Sequence, residues 1–176
     1  MEMDNVFILR DVISLGGGQV LGRKKLQKIV YIMQEFMGIF DPPFKYRWNY
    51  YGVYSYDLAA ALDVGKFFDI FTENPVMDYN YQSYALKVNS SPGETAIIKN
   101  GLAAWLMQFL NAKEPRLLEV LSSIIYFENE GLSREAIISK LHEFKGHLEY
   151  FYEDAYIALM KIREVFEKHE MKGVLP

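Results

Sequence analysis

The sequence predicts an α+β fold, mainly helical, in which a winged-helix-like N-terminal part with a small antiparallel sheet precedes a C-terminal helical part. Three observations predict it. Between Leu21 and Leu62 a basic amphipathic helix, an aromatic strand and an acidic helix follow in quick succession. Two alternating segments then flank an Asn74-Pro75 turn signal. Beyond Pro92 the hydrophobic pattern is helical to the end. Helix, helix, strand, helix, hairpin is the order of winged-helix-like domains, a scaffold that serves DNA binders and protein-interaction modules alike. We expect residues 1–90 to form this part, and residues 91–176 to pack on it as one cooperative unit.

Asp4 to Leu15 reads as a helix with apolar residues on two sides, Val6, Leu9 and Ile13 on one and Ile8, Val12 and Leu15 on the other, so it should be largely enclosed. Gly16 to Gly18 should end it. From Arg23 to about Phe40, Leu26, Ile29, Val30, Met33, Phe36, Met37 and Phe40 form one stripe, with Lys24, Lys28 and Glu35 opposite it and facing water. Pro42 and Pro43 should stop this second helix, and Phe44 to Tyr51 suits a strand. Ser55 is placed to cap a third helix over Tyr56 to Val64, with Asp57 in its first turn and Gly65 near its end.

Phe67 to Thr72 and Tyr81 to Val88, joined by Glu73 to Asn80, should form the wing. Ser91, Pro92 and Glu94 supply an N-cap, a first-turn proline and a capping-box acceptor, which predicts a helix starting at Pro92 and running past Trp105 to Phe109. Further helices are expected over Pro115 to Phe127, Ser133 to Phe144 and Glu149 to His169. In the last, Phe151, Ala155, Ala158, Leu159, Ile162 and Phe166 make the core stripe, while Ile157 and Met160 lie on the far face.

With 51% hydrophobic residues the 176-residue chain can bury a substantial core, so disorder is excluded. The absence of cysteine removes disulfides, thiol nucleophiles and cysteine-based metal sites, and fits a reducing, cytoplasmic setting. Neither a signal peptide nor a membrane span is expected. The net charge of −4 is unevenly spread: +2 over residues 1–50, −4 over 51–86 and −2 over 87–176. Only the first segment favours a polyanion.

Gly22-Arg23-Lys24-Lys25-Leu26-Gln27-Lys28-Ile29-Val30-Tyr31, followed by Phe44-x-Tyr46 and Tyr51-Gly52-Val53-Tyr54-Ser55-x-Asp57-Leu58, resembles the YwgA family. Tyr126-Phe127, Ser133-Arg134-Glu135-Ala136 and Glu153-Asp154-Ala155-Tyr156 extend the resemblance over most of the chain. More distantly the sequence is similar to the Panacea or SocA-like antitoxin domain, which shares a Lys-Leu-Gln-Lys helix and a later Tyr-Gly-Pro turn; here Val53 replaces that proline. The resemblance implies a winged-helix-like fold and brings no activity with it.

The glycines at 16, 17, 18 and 22 beside Arg23 suggest a phosphate loop, but a helix precedes them, Arg23 follows Gly22, and no hydroxyl is placed for magnesium. Leu21 occupies the final glycine position of a dinucleotide fingerprint. His142 and His147 are five residues apart, about 140° around a helix, instead of the four that place two zinc ligands on one side. No serine sits in a nucleophile elbow. We therefore expect no enzymatic activity, no catalytic or metal-ligating residue and no cofactor.

Nucleic-acid binding is the serious competitor to a protein-contact role. The third helix carries Asp57 and Asp63, and the wing offers Glu73 and Asp78 without a lysine or arginine, so the usual docking of recognition helix and wing on phosphates is disfavoured. The remaining candidates for anion or nucleic-acid contact are Arg23, Lys24, Lys28, Lys45 and Arg47. Candidates for a protein interface are Tyr51, Tyr54, Tyr56, Ile157 and Met160. The sequence thus points to a cytoplasmic, non-enzymatic regulatory or adaptor protein that works through a protein partner, its C-terminal helices either stabilising it or forming a homodimer. The alternative is a DNA-binding transcriptional regulator or antitoxin-like protein using the basic second helix.

Overall fold

The computed structural model describes residues 2–41, 43–50, 52–78 and 81–174. The chain runs α1 (Glu2–Leu15), β1 (Gln19–Leu21), α2 (Arg23–Phe36), β2 (Arg47–Asn49), β3 (Gly52–Tyr54), α3 (Tyr56–Phe67), β4 (Phe71–Asp78), β5 (Tyr81–Val88), α4 (Gly101–Asn111), α5 (Pro115–Asn129), α6 (Arg134–Lys145), a 3-10 turn (Gly146–Phe151) and α7 (Tyr152–Val174). It is an α+β protein, mainly helical, with a small antiparallel sheet and a helical C-terminal part. Two compact units are present, Met1–Lys113 and Glu114–Pro176. Their boundary lies beyond the expected one after residue 90, because α4 packs against α1 and α2 and so belongs to the first unit.

In the first unit β4 and β5 form an antiparallel hairpin, and β1 adds to the free edge of β5 with Val20 opposite Leu86. Three helices followed by this hairpin are in keeping with the winged-helix-like order. A separate ribbon, β2 paired with β3 so that Arg47 faces Tyr54 and Trp48 faces Val53, stands between α2 and α3 as an addition to it. The core is made by Val6, Leu9 and Ile13 of α1, Leu26, Ile29 and Met33 of α2, Leu58 and Leu62 of α3, Phe71 and Leu86 of the hairpin, and Leu106 and Leu110 of α4.

The backbone explains the local boundaries. Helix α1 ends where Gly17 and Gly18 take positive φ, and the Gly18 amide donates to Ile13 O at 3.0 Å. Ser55 caps α3 as expected, its hydroxyl accepting from Leu58 N at 3.2 Å. That helix runs past Val64 to Phe67, with Gly65 inside it. Asp69 then takes the left-handed conformation, and the Ile70 amide closes on Gly65 O at 2.8 Å. This loop moves the start of β4 from the expected Phe67 to Phe71.

Helices α2 and α4 also depart from their expected bounds. Helix α2 stops at Phe36, before Phe40, with Met37 already extended; Pro42, expected to stop it, lies outside the described residues. The helix expected from Pro92 begins instead at Gly101, where the Asn100 side chain accepts from Leu102 N and Ala103 N, both at 3.0 Å. Residues 93–95 are drawn to α1: buried Asp11 accepts from Gly93 N at 2.9 Å and from the Thr95 hydroxyl at 2.7 Å. A carboxylate with these partners outcompetes the Ser91-Pro92 start signal.

In the second unit α5 packs against α6, the 3-10 turn and α7. Leu118, Leu121 and Ile124 of α5, Ile137 and Leu141 of α6, and Ala155, Leu159 and Ile162 of α7 fill its core. Ser133 caps α6 through Ala136 N. Lys145 is buried against Glu119, and its carbonyl accepts from the Tyr152 hydroxyl at 2.9 Å. Pairing of this kind is what a lysine at a core position requires.

Gly65 carries a packing constraint that composition does not announce. A Cβ there would run into the Phe71 ring and reach Val6 at 3.0 Å. We expect Gly65→Ala to cost about 1–3 kcal/mol through overpacking. Gly101→Ala, where nothing lies within 4 Å, should be neutral or stabilising by up to about 1 kcal/mol. Urea unfolding of the two variants checks the pair.

Candidate functional site

The sequence motif of α2 has its polar side chains turned inward. Gln27, buried, clamps Ser55 at both backbone groups: its amide nitrogen donates to Ser55 O at 2.8 Å, and its oxygen accepts from Ser55 N at 2.9 Å. Lys28 is buried as well and donates to Val53 O at 2.6 Å. This overturns the expectation that Lys28 faces water, because the β2–β3 ribbon covers that side of the helix. Lys25 is buried at the opposite end of the motif and donates to Asn111 O, capping the C-terminus of α4; burial lowers its pKa. The Tyr46 hydroxyl donates to Gln27 O at 3.1 Å, and burial pushes its phenol well above the ordinary range. Every one of these contacts ties α2 to a neighbouring element of the same unit.

Arg23 is equally committed. Its guanidinium forms a bidentate pair with Glu73 of β4, the second contact at 2.9 Å, and a third contact reaches Asp63 of α3 at 2.7 Å. Lys66 donates to the same Glu73 carboxylate at 3.0 Å. The hydrogen bond with Glu73 raises the Arg23 pKa, and the hydrogen bond from Arg23, joined by that from Lys66, holds Glu73 below the ordinary carboxylate range. The acidic wing residue is therefore the counter-ion of the basic helix, and the two charge groups that the sequence sets in opposition cancel inside the unit.

Of the five anion-contact candidates, Lys24, Lys45 and Arg47 are exposed. Arg47 is brought to the protein-interface candidates. It lies opposite Tyr54 across the ribbon, with its guanidinium 5.8 Å from the centre of the Tyr56 ring, and the Tyr54 and Tyr56 rings meet edge to face at 5.0 Å. Tyr50, at the turn of the ribbon, is 95% exposed, and Tyr56 is 59% exposed. Tyr51 and the side chain of Asp78 lie outside the described residues. The remaining candidates, Ile157 and Met160, are exposed on α7.

Sequence reasoning missed Gln27, Lys25 and Asp11. The first two carried a signal: a polar side of a helix that a following aromatic strand will cover is no longer a solvent face. Asp11 sits among apolar residues in a helix expected to be enclosed, which calls for buried partners. Arg10, Gly93 N and Thr95 supply them; burial by itself would raise the Asp11 pKa, but these hydrogen bonds and the Arg10 charge hold it below its ordinary value. Among the described residues no group of three or more His, Asp or Glu could hold a metal ion. His142 and His147 are both exposed, and α6 ends between them at Lys145. No helix among the described residues is long and apolar enough to cross a membrane.

The chain is similar to the Uncharacterized protein YwgA of Bacillus subtilis (strain 168), with 28% identity over 152 residues that cover 84% of this chain and 89% of that protein. No family model matches the chain, and no solved structure does.

Two outcomes test the assignment of the motif to internal work. Gln27→Ala should orphan the buried Ser55 amide and cost about 1–3 kcal/mol in denaturant unfolding, against about 0.5 kcal/mol or less for Lys45→Ala at an exposed position. The depressed carboxylates make stability acid-sensitive. A lowered folded pKa contributes stability that is present above the ordinary carboxylate values of 3.8 for Asp and 4.5 for Glu and is lost as pH falls through the folded value. Glu73→Gln and Asp11→Asn should each be less stable than the parent at neutral pH, with a shallower loss on acidification, read as melting temperature against pH.

Proposed function

From the premise of a YwgA-like chain, we propose that the protein is a non-enzymatic regulatory or adaptor protein that acts through protein contacts made by the β2–β3 ribbon. The observation that carries the reading is the inward turn of the motif on α2: Arg23, Lys25, Gln27 and Lys28 are spent on Glu73 and Asp63, Asn111, Ser55 and Val53. A helix so engaged has Lys24 as the exposed cation of its basic turn, too little for a phosphate backbone whose neutralisation takes several cations. What the first unit offers to a partner is Tyr50, Tyr54 and Tyr56 with Arg47 and Lys45. Tyrosine and arginine on a short, paired ribbon suit a protein hot spot, since they bring large contact area at low entropic cost.

The test compares duplex DNA with protein capture. Fluorescence anisotropy at physiological salt should show no micromolar affinity for labelled duplex DNA. Affinity capture from host lysate should retain a protein partner after nuclease treatment and lose it in the double variant Tyr50→Ala, Tyr56→Ala. Micromolar duplex binding that falls steeply with salt and vanishes in Lys45→Glu with Arg47→Glu would overturn the proposal in favour of a DNA-binding regulator.

A further inference from the structure

We infer that the outer face of the 3-10 turn and α7 is a second docking surface, whose occupant is a cationic amphipathic helix of another protein. Helix α7 buries Ala155, Ala158, Leu159 and Ile162 within its own unit. On the other side, Ile157 is 56% and Met160 68% exposed, and Tyr150 of the preceding turn is 86% exposed. Ile157 and Met160 are three residues apart and share a face. A face meant only for water would carry polar residues at these positions.

The charge around this strip selects the partner. Glu153 and Asp154 are exposed and lie four and three residues before Ile157, on its own face. Three cations of α7 are already paired: Lys161, four residues after Ile157 on the same side, and Lys168 both hold Glu164, and Arg163 pairs with Glu128 of α5. No ion pair engages Glu153 or Asp154 among the described residues. The imbalance is general to the unit. Residues 114–176 carry 12 Asp and Glu against 8 Lys and Arg, whereas residues 1–113 carry 11 of each, so the whole net charge of −4 resides in the C-terminal unit.

A partner helix with an apolar stripe for Tyr150, Ile157 and Met160 and flanking lysines or arginines for Glu153 and Asp154 satisfies both features, and methionine adapts to the shape of such a stripe. A second copy of the same face would set Glu153 and Asp154 against their own kind. A membrane with anionic lipids would be repelled likewise.

The inference concerns a different surface from the ribbon and stands or falls apart from it. The probe is a synthetic amphipathic Leu/Lys peptide, titrated into the full chain by isothermal calorimetry, beside a Leu/Glu peptide of the same length and a Leu/Lys peptide scrambled to destroy its apolar stripe. The amphipathic Leu/Lys peptide should bind at one saturable site and weaken with salt. Affinity should drop about tenfold or more for the scrambled peptide, for Ile157→Ser with Met160→Ser, and for Glu153→Lys with Asp154→Lys, each drop being at least about 1.4 kcal/mol. Thermal melting keeps a folding defect from mimicking the loss. Equal binding of the scrambled peptide, indifference to both double variants, absence of binding, or a concentration-dependent dimer abolished by Ile157→Ser with Met160→Ser would each overturn the inference.

Discussion

The clamp of Gln27 on Ser55 is the interaction on which the arrangement of the first unit depends. Ser55 is completely buried. Its backbone N–H and C=O are both held by one glutamine side chain of α2, while its hydroxyl caps α3 through Leu58 N. A single residue thus ends the ribbon, starts the third helix and fastens both to the second. Lys28 on Val53 O repeats the tie two residues earlier, and Tyr46, just ahead of β2, donates to Gln27 O. The ribbon is short, and a two-stranded hairpin of this size does not hold itself in water. Its position comes from α2, which explains why that helix spends polar side chains where a surface helix would display them.

A second constraint follows from the first. With Gln27 and Lys28 turned to the ribbon, the N-terminal turn of α2 points Arg23 to the hairpin and α3, where Glu73 and Asp63 receive it. The bidentate geometry is that of a pair which fixes orientation as well as charge. Glu73 is largely shielded, with its side chain 12% exposed, so this pair is worth more than a surface ion pair and is less easily screened. The hairpin is anchored at its base by Phe71 and Leu86 in the core and by Glu73 at the edge of it.

Much of the fold was legible because its signals are local. The stripe of α2, the Ser55 and Ser133 caps and the glycine stop after Leu15 each act within one or two turns of chain, where spacing and cap chemistry decide the outcome; the strand expected over Phe44 to Tyr51 is present over Arg47–Asn49 alone among its described residues. One local signal misled, since Asn74-Pro75, expected as the turn of the hairpin, is paired inside β4; the other failures were long-range. The Ser91-Pro92-Glu94 signal was locally sound, yet Asp11, over eighty residues earlier, takes Gly93 N and Thr95 for itself. Lys28 lay on the polar side of an amphipathic pattern, yet Val53 O needed a donor. Strand β1 is three residues long and exists because β5 offers an edge to it. The candidate site divided in the same way. The exposed tyrosines and Arg47 were named from composition, but their meeting on one ribbon depends on a register that only the pairing reveals. The Lys-Leu-Gln-Lys motif itself is occupied by structural work.

This occupation bears on how a shared motif is read. A run of Arg-Lys-Lys-Leu-Gln-Lys invites an electrostatic interpretation, because cations at a helix N-terminus are the usual means of holding an anion. A cation works on an external anion only if no internal acceptor has claimed it first. Arg23 is claimed by two carboxylates, and Lys25 and Lys28 by main-chain carbonyls. Replacing these residues would therefore loosen the packing of α2 against the ribbon, α3, the hairpin and α4 before it altered any contact outside the chain. The residues that determine recognition are to be sought where the fold leaves strong groups without internal duties. In the first unit the proposed recognition surface is the ribbon, and in the second the outer face of α7, so on this reading recognition and stability fall to different residues of the same sequence.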